Sequence, residues 1–293
     1  MREPKVANPV VSLFLRTAGR LRSGRTWAFD IDDEISDRRV RIPVRFGMGT
    51  EHRVMVDTHL LPVLRAGLSL RDGLFVDVGA HTGQSLVKLL MVDPSRGYLG
   101  FEPQPAAAAF VAEILDANRH PGHILAAAAG SESKATVLFS KGMLDDGASI
   151  VAGFRVDEQY DRTRAVPVLA GDEVLRSLEA DSAVALIKID AEGAELDVVE
   201  GFRETVGRDR PVLLCEVLPV GDRSGPVGAL RAARTNELLG VLERSSYEIK
   251  MIDPAGRVAS VGAELTGDRD FDSRDFVFVP AEHSVEFESL VNR

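Results

Sequence analysis

Residues 75–84 decide the fold of this chain: Phe75-Val76-Asp77-Val78-Gly79-Ala80-His81-Thr82-Gly83-Gln84. A short run of β-forming apolar residues leads into a turn with two glycines, and a helical stretch follows the turn. Ligands of open α/β sheets bind at the carboxyl ends of the strands, and glycines in such a turn let the backbone approach a ligand closely. The segment therefore predicts a cofactor site at the end of a strand in a parallel sheet.

The spacing within this turn narrows the choice of cofactor. A dinucleotide-binding turn has the pattern Gly-x-Gly-x-x-Gly, whereas this chain has His81 where the second glycine belongs, and the Gly-Lys-Ser/Thr of a P-loop does not follow. Asp77 adds a negative charge just before the turn, which opposes a pyrophosphate and suits a cationic cofactor with an amino group and a sulfonium. S-adenosylmethionine is such a molecule.

A second carboxylate supports this choice. Glu102 ends the next apolar run, about 20 residues after the glycine turn, where a carboxylate accepts hydrogen bonds from the ribose hydroxyls of an adenosyl ligand. The structural alternative is that Asp77 only caps the turn and that Glu102 is a solvated strand end. Together the two carboxylates favour an adenosyl cofactor.

Short β-rich runs alternate with helical stretches beyond the turn, which is typical of a parallel sheet with crossover helices. The predicted strands are Leu74–Val78, Tyr98–Phe101, His123–Ala128, Val184–Ile189, Val212–Val217, Tyr247–Ile252 and Phe276–Val279. The predicted helices are His59–Leu70, Gln84–Val92, Pro105–Asn118, Ala194–Val206 and Val227–Arg244. Residues 130–170, with apolar runs at Ala135–Phe139 and Val166–Leu169, are too long for a plain connection. We expect an inserted lid or substrate loop there, the alternative being a surface elaboration without ligand contact.

Residues 1–57 are predicted to form an N-terminal cap, and residues 58–293 the main domain. The cap is expected to contain an amphipathic helix from Val10 to Leu21 and a short hairpin within residues 38–56. Because the helix is basic, docking on a membrane surface or a partner is an alternative to packing across the main domain.

Composition excludes several classes of protein. The 293 residues include 35 Lys and Arg against 45 Asp and Glu, a net charge of −10, which argues against nucleic-acid binding. No apolar run approaches the roughly 18 residues that span a bilayer, and the single Cys215 cannot form an internal disulfide. We expect a cytoplasmic protein with a small-molecule partner, while homo-oligomerisation stays open.

Three stretches resemble the FkbM-type S-adenosylmethionine-dependent methyltransferases. They are residues 75–80, Phe101-Glu102-Pro103 and, most specifically, Ile187-Lys188-Ile189-Asp190-Ala191-Glu192-Gly193-Ala194-Glu195. The resemblance covers roughly residues 58 to 280 and implies an α/β, Rossmann-like class I methyltransferase fold. Its sheet has seven strands, six of them parallel and the last antiparallel, with helices on both faces. The family commonly carries asparagine where this chain has His81.

The resemblance also implies an activity: O-methylation of a hydroxyl on a sugar, polyketide or related small metabolite, with cofactor contacts at Asp77, Gly79 and Glu102. The full set of predicted cofactor contacts is Asp77, Gly79, His81, Gly83, Gln84, Ser85, Glu102 and Asp190. Asp190, at the carboxyl end of its strand, is the first candidate for the catalytic base that takes the hydroxyl proton. His81 and Glu216 follow, because histidine titrates near neutrality and Glu216 ends the neighbouring strand.

Alternatives remain for the charged residues. Asp190, Glu192, Glu195 and Glu216 alternatively gather Mg²⁺, although a position at the start of a helix explains Glu192 and Glu195 without a metal, so no metal site is predicted. Lys188 is expected to pair with a nearby carboxylate. The arginines of the excursion either grip an acidic acceptor group or lie on a solvated loop; they are Arg155, Arg162 and Arg164.

Two other functions stay open from the residues alone. An NAD-linked oxidoreductase uses the same strand, turn and helix, but the missing middle glycine disfavours it. A non-catalytic adenosyl-binding module would keep Asp77 and Glu102 and lack a working base.

Overall fold

The computed structural model describes residues 28–35, 38–45, 48–49, 52, 57–142, 144–155, 160–179, 182–261 and 275–292. Its strands are β1 (Ala28–Ile35), β2 (Arg38–Arg45), β3 (Leu74–Val78), β4 (Tyr98–Phe101), β5 (Gly122–Leu125), β6 (Ala128–Gly130), β7 (Lys134–Ser140), β8 (Arg162–Ala170), β9 (Val184–Ile189), β10 (Val212–Glu216), β11 (Tyr247–Ile252), β12 (Val258–Ser260) and β13 (Asp275–Pro280). Its helices are α1 (Leu60–Ser69), α2 (Gln84–Val92), α3 (Pro105–Asn118), α4 (Gly171–Ser177), α5 (Glu195–Gly201), α6 (Arg203–Asp209), α7 (Pro226–Arg244) and α8 (Ser284–Val291). The helix predicted from Val10 to Leu21 lies outside the described residues.

A central sheet of eight strands organises the fold, in the order β12-β11-β13-β10-β9-β3-β4-β5. The five strands from β10 to β5 are parallel to one another. Strand β13 is antiparallel to both of its neighbours, β10 and β11, so β11 runs in the direction of the parallel set. All seven predicted strands are therefore present, six in one direction and one reversed. The eighth, β12, has three residues and is too short to give a sequence pattern.

Helices cover both faces of this sheet, as predicted. One face packs against apolar side chains of α1, α2 and α3, such as Val63, Leu86 and Phe110. The other packs against α5 and α7 through residues such as Val198 and Leu239. Because these strands run in the same direction, their carboxyl ends meet at one edge of the sheet, where ligands of open α/β sheets bind.

Two of the strands and helices predicted within residues 59–279 differ from the structure by more than one residue at an end. The strand predicted at His123–Ala128 is wrong in extent: the chain leaves the central sheet after Leu125, and Ala128–Gly130 pairs with β8 instead. The helix predicted at Ala194–Val206 divides into α5 and α6 at Phe202, which has φ −107° and ψ 22°. Phe202 is fully buried and its ring lies edge-on to Phe101, with the ring centroids 6.0 Å apart. The break between α5 and α6 therefore falls at a residue whose side chain is packed in the core.

The N-terminal hairpin lies earlier in the chain than predicted. It is formed by β1 and β2, which pair antiparallel from Ala28↔Arg45 to Ile35↔Arg38, so only β2 falls within residues 38–56. The predicted hairpin thus includes one true strand, β2, but the strand that pairs with β2 precedes it in the chain. Val40 and Ile42 are buried in the same core as the side chains of α2 and α3. The division of the chain at residue 57 stays a prediction.

The inserted excursion contains its own small sheet, in the order β6-β8-β7. The runs Ala135–Phe139 and Val166–Leu169 lie in β7 and β8, which pair antiparallel. Between these strands the chain returns to the edge of the central sheet where the parallel strands end. Among the described helices, none is both long and apolar enough to cross a membrane.

Candidate active site

Backbone hydrogen bonds at the glycine turn connect the ends of the three strands β3, β4 and β9. At Gly79 the backbone has a φ of +76°, and a Cβ atom there would lie 1.9 Å from the carbonyl oxygen of Asp190. The N–H groups of Gly79 and Ala80 donate to the carbonyl of Phe101 at 3.0 and 3.1 Å, and the N–H of Asp190 donates to the carbonyl of Val78 at 3.1 Å. Both the conformation and the close approach therefore require glycine at position 79.

Glu102 is fixed beside this turn. It follows β4, is 3% exposed, and accepts hydrogen bonds from the backbone N–H groups of His81 and Gln104, each at 2.8 Å. Burial raises the pKa of Glu102, while the two N–H donors act in the opposite direction. Each carboxylate oxygen has a second lone-pair site, so the group still has acceptor capacity for a ligand.

Lys188 is paired with carboxylates, as predicted. Its Nζ lies 3.4 Å from Asp190 Oδ2 and 3.5 Å from Asp77 Oδ1, and it donates to the carbonyl of Gly79 at 2.8 Å. Burial opposes the charge of Lys188, but the two carboxylates outweigh it and raise the pKa of the ammonium. Lys188 therefore holds Asp190 in place at the end of β9.

Asp77 lies behind the wall of the site. It is fully buried, accepts a hydrogen bond from the hydroxyl of Tyr98 at 2.9 Å, and has a pKa raised by burial. Its role in this structure is to orient Lys188. Gly83, with φ +85°, precedes α2 and packs toward Ile114, so neither Asp77 nor Gly83 lines the cavity described next.

A cavity of about 460 Å³ opens at the carboxyl ends of β3, β4, β9 and β10. This volume is in the usual range for small-molecule and cofactor sites. Most of the predicted site residues line it: Gly79, His81, Gln84, Ser85, Glu102, Asp190 and Glu216. The ring atom Nε2 of His81 is buried without a hydrogen-bond partner among the described residues. The structure thus brings the three predicted catalytic residues and most of the predicted cofactor contacts to one cavity.

The cavity wall also includes charged residues that sequence reasoning missed, namely Asp57, Lys88, Asp145, Asp146 and Asp275. Of these, only Asp145 and Asp146 have a local sequence signal, because the Gly147 that follows them is typical of a turn. Among the residues that the structure describes, eight carboxylates and three cationic side chains line the cavity. The excess of carboxylates favours a ligand that carries positive charge.

The excursion forms one side of the cavity. The hydroxyl of Ser149 donates to the carbonyl of Glu192 at 2.7 Å, and Gln104 and Asp145 exchange two hydrogen bonds of 2.8 and 2.9 Å. Arg155 donates to Glu192 at 2.5 Å, inside the cavity wall. Described residues of the excursion therefore contribute part of the cavity wall. Of its three arginines only Arg155 lines the cavity, whereas Arg162 and Arg164 are exposed on β8.

Several acids of the site have raised pKa values. Burial first, and then the charges of Asp190, Glu192 and Asp275, raise the pKa of Glu216 to about 8. Burial raises the pKa of Glu195 to about 7, and this carboxylate accepts the N–H of Gly193 at 2.8 Å. Titratable groups with such shifts concentrate at functional sites.

Two acids of the magnesium alternative have partners within the protein. Glu192 is paired with Arg155, and Glu195 accepts the N–H of Gly193 at the start of α5. Within the described residues no group of three or more His, Cys, Asp or Glu side chains is arranged to hold a metal ion. The helix start accounts for Glu195, whereas the ion pair with Arg155 accounts for Glu192.

The residues present fit an adenosyl sulfonium cofactor. Glu102 offers carboxylate oxygens at the end of the second parallel strand, where ribose hydroxyls bind in such sheets. Gly79 and His81 bring the backbone of the turn to the cavity, and the surplus of acids suits a positive sulfur. Six strands in one direction with a reversed strand between the last two, a glycine turn and this acid define a class I methyltransferase.

Comparison with known families identifies the chain further. The family model described as methyltransferase FkbM domain matches residues 77–249. The chain belongs to the FkbM methyltransferase family and is an S-adenosylmethionine-dependent methyltransferase. The family predicted from the three motifs is thereby confirmed. No curated protein matches the chain.

Solved structures with similarity to this chain include other methyltransferases. The methyltransferase FkbM from Methylobacillus flagellatus has 18% identity and a TM-score of 0.42, with coverage of 71% of this chain and 43% of that one. A putative O-methyltransferase from Klebsiella pneumoniae has 12% identity and a TM-score of 0.43, with coverage of 77% and 82%. The O-methyltransferase TomG from Streptomyces achromogenes, in complex with S-adenosylmethionine, has 15% identity and a TM-score of 0.40, with coverage of 78% of each chain.

Proposed function

We propose that this protein is an O-methyltransferase that methylates a hydroxyl group of a small metabolite, such as a sugar, a glycosylated compound or a polyketide. The observation that carries the proposal is the position of Asp190. Its side chain is 34% exposed, lines the cavity, and is held by Lys188 next to the glycine turn. A carboxylate so placed has access to an acceptor hydroxyl and a fixed orientation.

The cofactor side of the site is formed by the turn and by Glu102. Glu102 accepts hydrogen bonds from the ribose hydroxyls, and Gly79 lets the backbone pass close to the ligand. Gln84 and Ser85, at the start of α2, complete this wall. S-adenosylmethionine supplies an electrophilic methyl group on a positively charged sulfur. The carboxylates around the cavity stabilise that charge.

Asp190 takes the proton of the acceptor hydroxyl. Lys188 orients its carboxylate from behind, so the base needs no rearrangement when the acceptor binds. A positioned base contributes about 10²–10⁴-fold to the rate, and positioning of the reactants supplies up to about 7–11 kcal/mol. Glu216 and His81, which line the same cavity, are the other two candidates for this proton.

The acceptor is a small molecule in this proposal, and the protein acts in the cytoplasm. A net charge of −10 opposes binding to nucleic-acid phosphates, and a single cysteine fits a reducing compartment. The non-catalytic alternative would require that Asp190 has no role in proton transfer.

The test begins with cofactor binding. We expect isothermal titration calorimetry to show binding of S-adenosylmethionine and none of NAD. Binding of NAD alone would contradict the proposal. Transfer of labelled methyl groups from S-adenosylmethionine to a panel of hydroxylated metabolites then identifies the acceptor class. Cofactor binding without transfer to any of them would favour the non-catalytic module.

The variant Asp190→Asn tests the base. We expect it to lower kcat by about 10²–10⁴-fold, while the affinity for S-adenosylhomocysteine stays within about threefold. The matched control is Asp72→Asn, because Asp72 is fully exposed and lies 3.9 Å from its nearest cationic partner, Arg96. Unchanged kcat in Asp190→Asn would remove Asp190 from the mechanism.

A further inference from the structure

Among the described residues of the cavity wall, Lys88 is a buried cation that neither the sequence motifs nor the proposed mechanism uses. It lies on α2, one turn after Gln84, and is only 6% exposed. Its side chain lines the cavity together with Asp57, which precedes α1, and Asp275, which begins β13. The charges of Asp57, Lys188, Asp77 and Asp275 act on it, and three strands of the sheet separate β13, which carries Asp275, from β4, which Glu102 follows.

The other two cations of the cavity wall are paired within the protein. Lys188 has Asp190 and Asp77, and Arg155 has Glu192. In the described ranges Lys88 has no hydrogen bond and no ion pair, and burial lowers the pKa of its ammonium. Because the residue is only 6% exposed, its ammonium has little contact with water, and such a charge is costly without an anionic partner. Because Lys88 lies in the cavity wall, we expect a ligand bound there to supply an anionic group that pairs with its ammonium.

The charges around Lys88 restrict that ligand. Asp190, Asp57 and Glu216 line the same cavity. Asp275 also lines it, and its Oδ2 atom lies 2.8 Å from Nε2 of His59. A ligand with only negative charge would be repelled by these acids. A zwitterion satisfies both signs, because its carboxylate meets Lys88 while its ammonium meets the carboxylates. An α-amino acid group has this pair of charges on one carbon atom.

We propose that Lys88 binds the carboxylate at the amino-acid end of S-adenosylmethionine. The cofactor is then held at two points, its ribose by Glu102 after β4 and its amino-acid end by Lys88 on α2. This inference rests on the proposed function, since it assigns one more contact to the same cofactor. It names a cofactor-binding residue outside the glycine turn, and it gives a role to the lysine that lies among apolar residues after Ser85 in α2.

The test compares two adenosyl ligands. S-adenosylhomocysteine has the amino-acid group, and 5′-methylthioadenosine has the same adenosyl thioether without it. In Lys88→Met we expect the Kd of S-adenosylhomocysteine to rise about 10- to 100-fold, as for loss of a hydrogen bond to a charged group. The Kd of 5′-methylthioadenosine should stay within about threefold of the wild-type value. Calorimetry on the full chain measures both.

The control variant is Lys134→Met, which makes the same change at a lysine that is 51% exposed on β7. It should leave both Kd values unchanged. We expect ligand-free Lys88→Met to melt no lower than the wild type, because the substitution removes an unpaired buried charge. Lys88→Gln, which keeps a polar side chain without the charge, repeats the comparison if methionine packs poorly.

The outcomes separate the two proposals. If the wild type binds neither ligand, the proposed function fails and the role of Lys88 fails with it. If the wild type binds S-adenosylhomocysteine and Lys88→Met binds it equally well, only the role of Lys88 is overturned. Equal losses for both ligands would also overturn it, because they would show a general distortion of the cavity. A selective loss for S-adenosylhomocysteine supports it.

Discussion

The two ends of the cavity are built in different ways. At the end formed by β4, the buried Glu102 is satisfied by the backbone, since the N–H groups of His81 and Gln104 each donate to it at 2.8 Å. At the other end, Lys88 comes from α2, Glu216 from β10 and Asp275 from β13. There burial lowers the pKa of Lys88 and raises that of Glu216 to about 8.

The two ends of the cavity therefore differ in how far their side chains are preorganised and in how burial affects their charges. The Glu102 end is preorganised, because two backbone N–H groups oppose the effect of burial on its carboxylate. At the Lys88 end burial disfavours the charged forms of Lys88 and Glu216, which is typical of functional sites. Substitutions at the first end should therefore reduce stability and binding together, whereas those at the second end should change binding or pH dependence.

The largest effect is expected for Gly79→Ala. The new Cβ would meet the Asp190 carbonyl oxygen at 1.9 Å in a backbone with φ +76°. Left-handed strain and overpacking together should lower the free energy of unfolding by about 2–5 kcal/mol. Urea unfolding measures this loss, and we expect cofactor binding to be lost with it.

Gly142→Ala is the matched control for this prediction. Gly142 has a similar φ of +83°, but a Cβ atom there would meet nothing within 4 Å. Its cost should be only the strain of about 1–2 kcal/mol. Equal losses in the two variants would show that the strand-end contact at Gly79 is unimportant.

Glu102→Gln should have the next largest effect. The amide nitrogen cannot accept a hydrogen bond, so one of the two backbone N–H groups at Glu102 loses its acceptor, at a cost of about 1–3 kcal/mol in stability. The affinity for S-adenosylhomocysteine should fall as well. Thermal melting and calorimetry measure the two losses, with Glu237→Gln on the exposed surface of α7 as the control. Unchanged melting and unchanged affinity would contradict the preorganised character of this end.

The Glu102 end was predictable from sequence because its information is local. The strand, the glycine turn and the acid after the next strand lie within 28 residues of each other, and each has a backbone requirement that restricts the residue type. The pairing of Lys188 was equally predictable, since an ammonium between apolar strand residues needs a carboxylate. Helices α2 and α3 were predicted with the bounds that the structure has.

The Lys88 end was not predictable because it depends on tertiary contacts. Lys88 is one polar residue among the apolar residues that follow Ser85 in α2, and only the tertiary structure places it in the wall of a cavity with residues of α1 and β13. Asp57 and Asp275 lie more than 200 residues apart in the chain. The break of the helix at Phe202 also escaped prediction, because the residues on both sides of it are compatible with a helix.

The smallest effect is expected for Glu216→Gln, and it is a change in pH dependence. The pKa of Glu216 is raised from its ordinary value of 4.5 to about 8, so the unfolded chain loses this proton at a lower pH than the folded protein. Wild-type stability should therefore fall as pH rises between about 5 and about 8, and this contribution should level off above that range. Glutamine does not ionise, so the stability of Glu216→Gln relative to wild type should increase over the same range. The raised pKa of Glu195 contributes to both proteins and cancels in the difference. Urea unfolding at several pH values measures the effect, with Glu237→Gln as a variant that should show no trend. A difference between Glu216→Gln and wild type that does not change with pH would show that Glu216 is already ionised in the folded protein, and that this end of the cavity does not hold it in the neutral form.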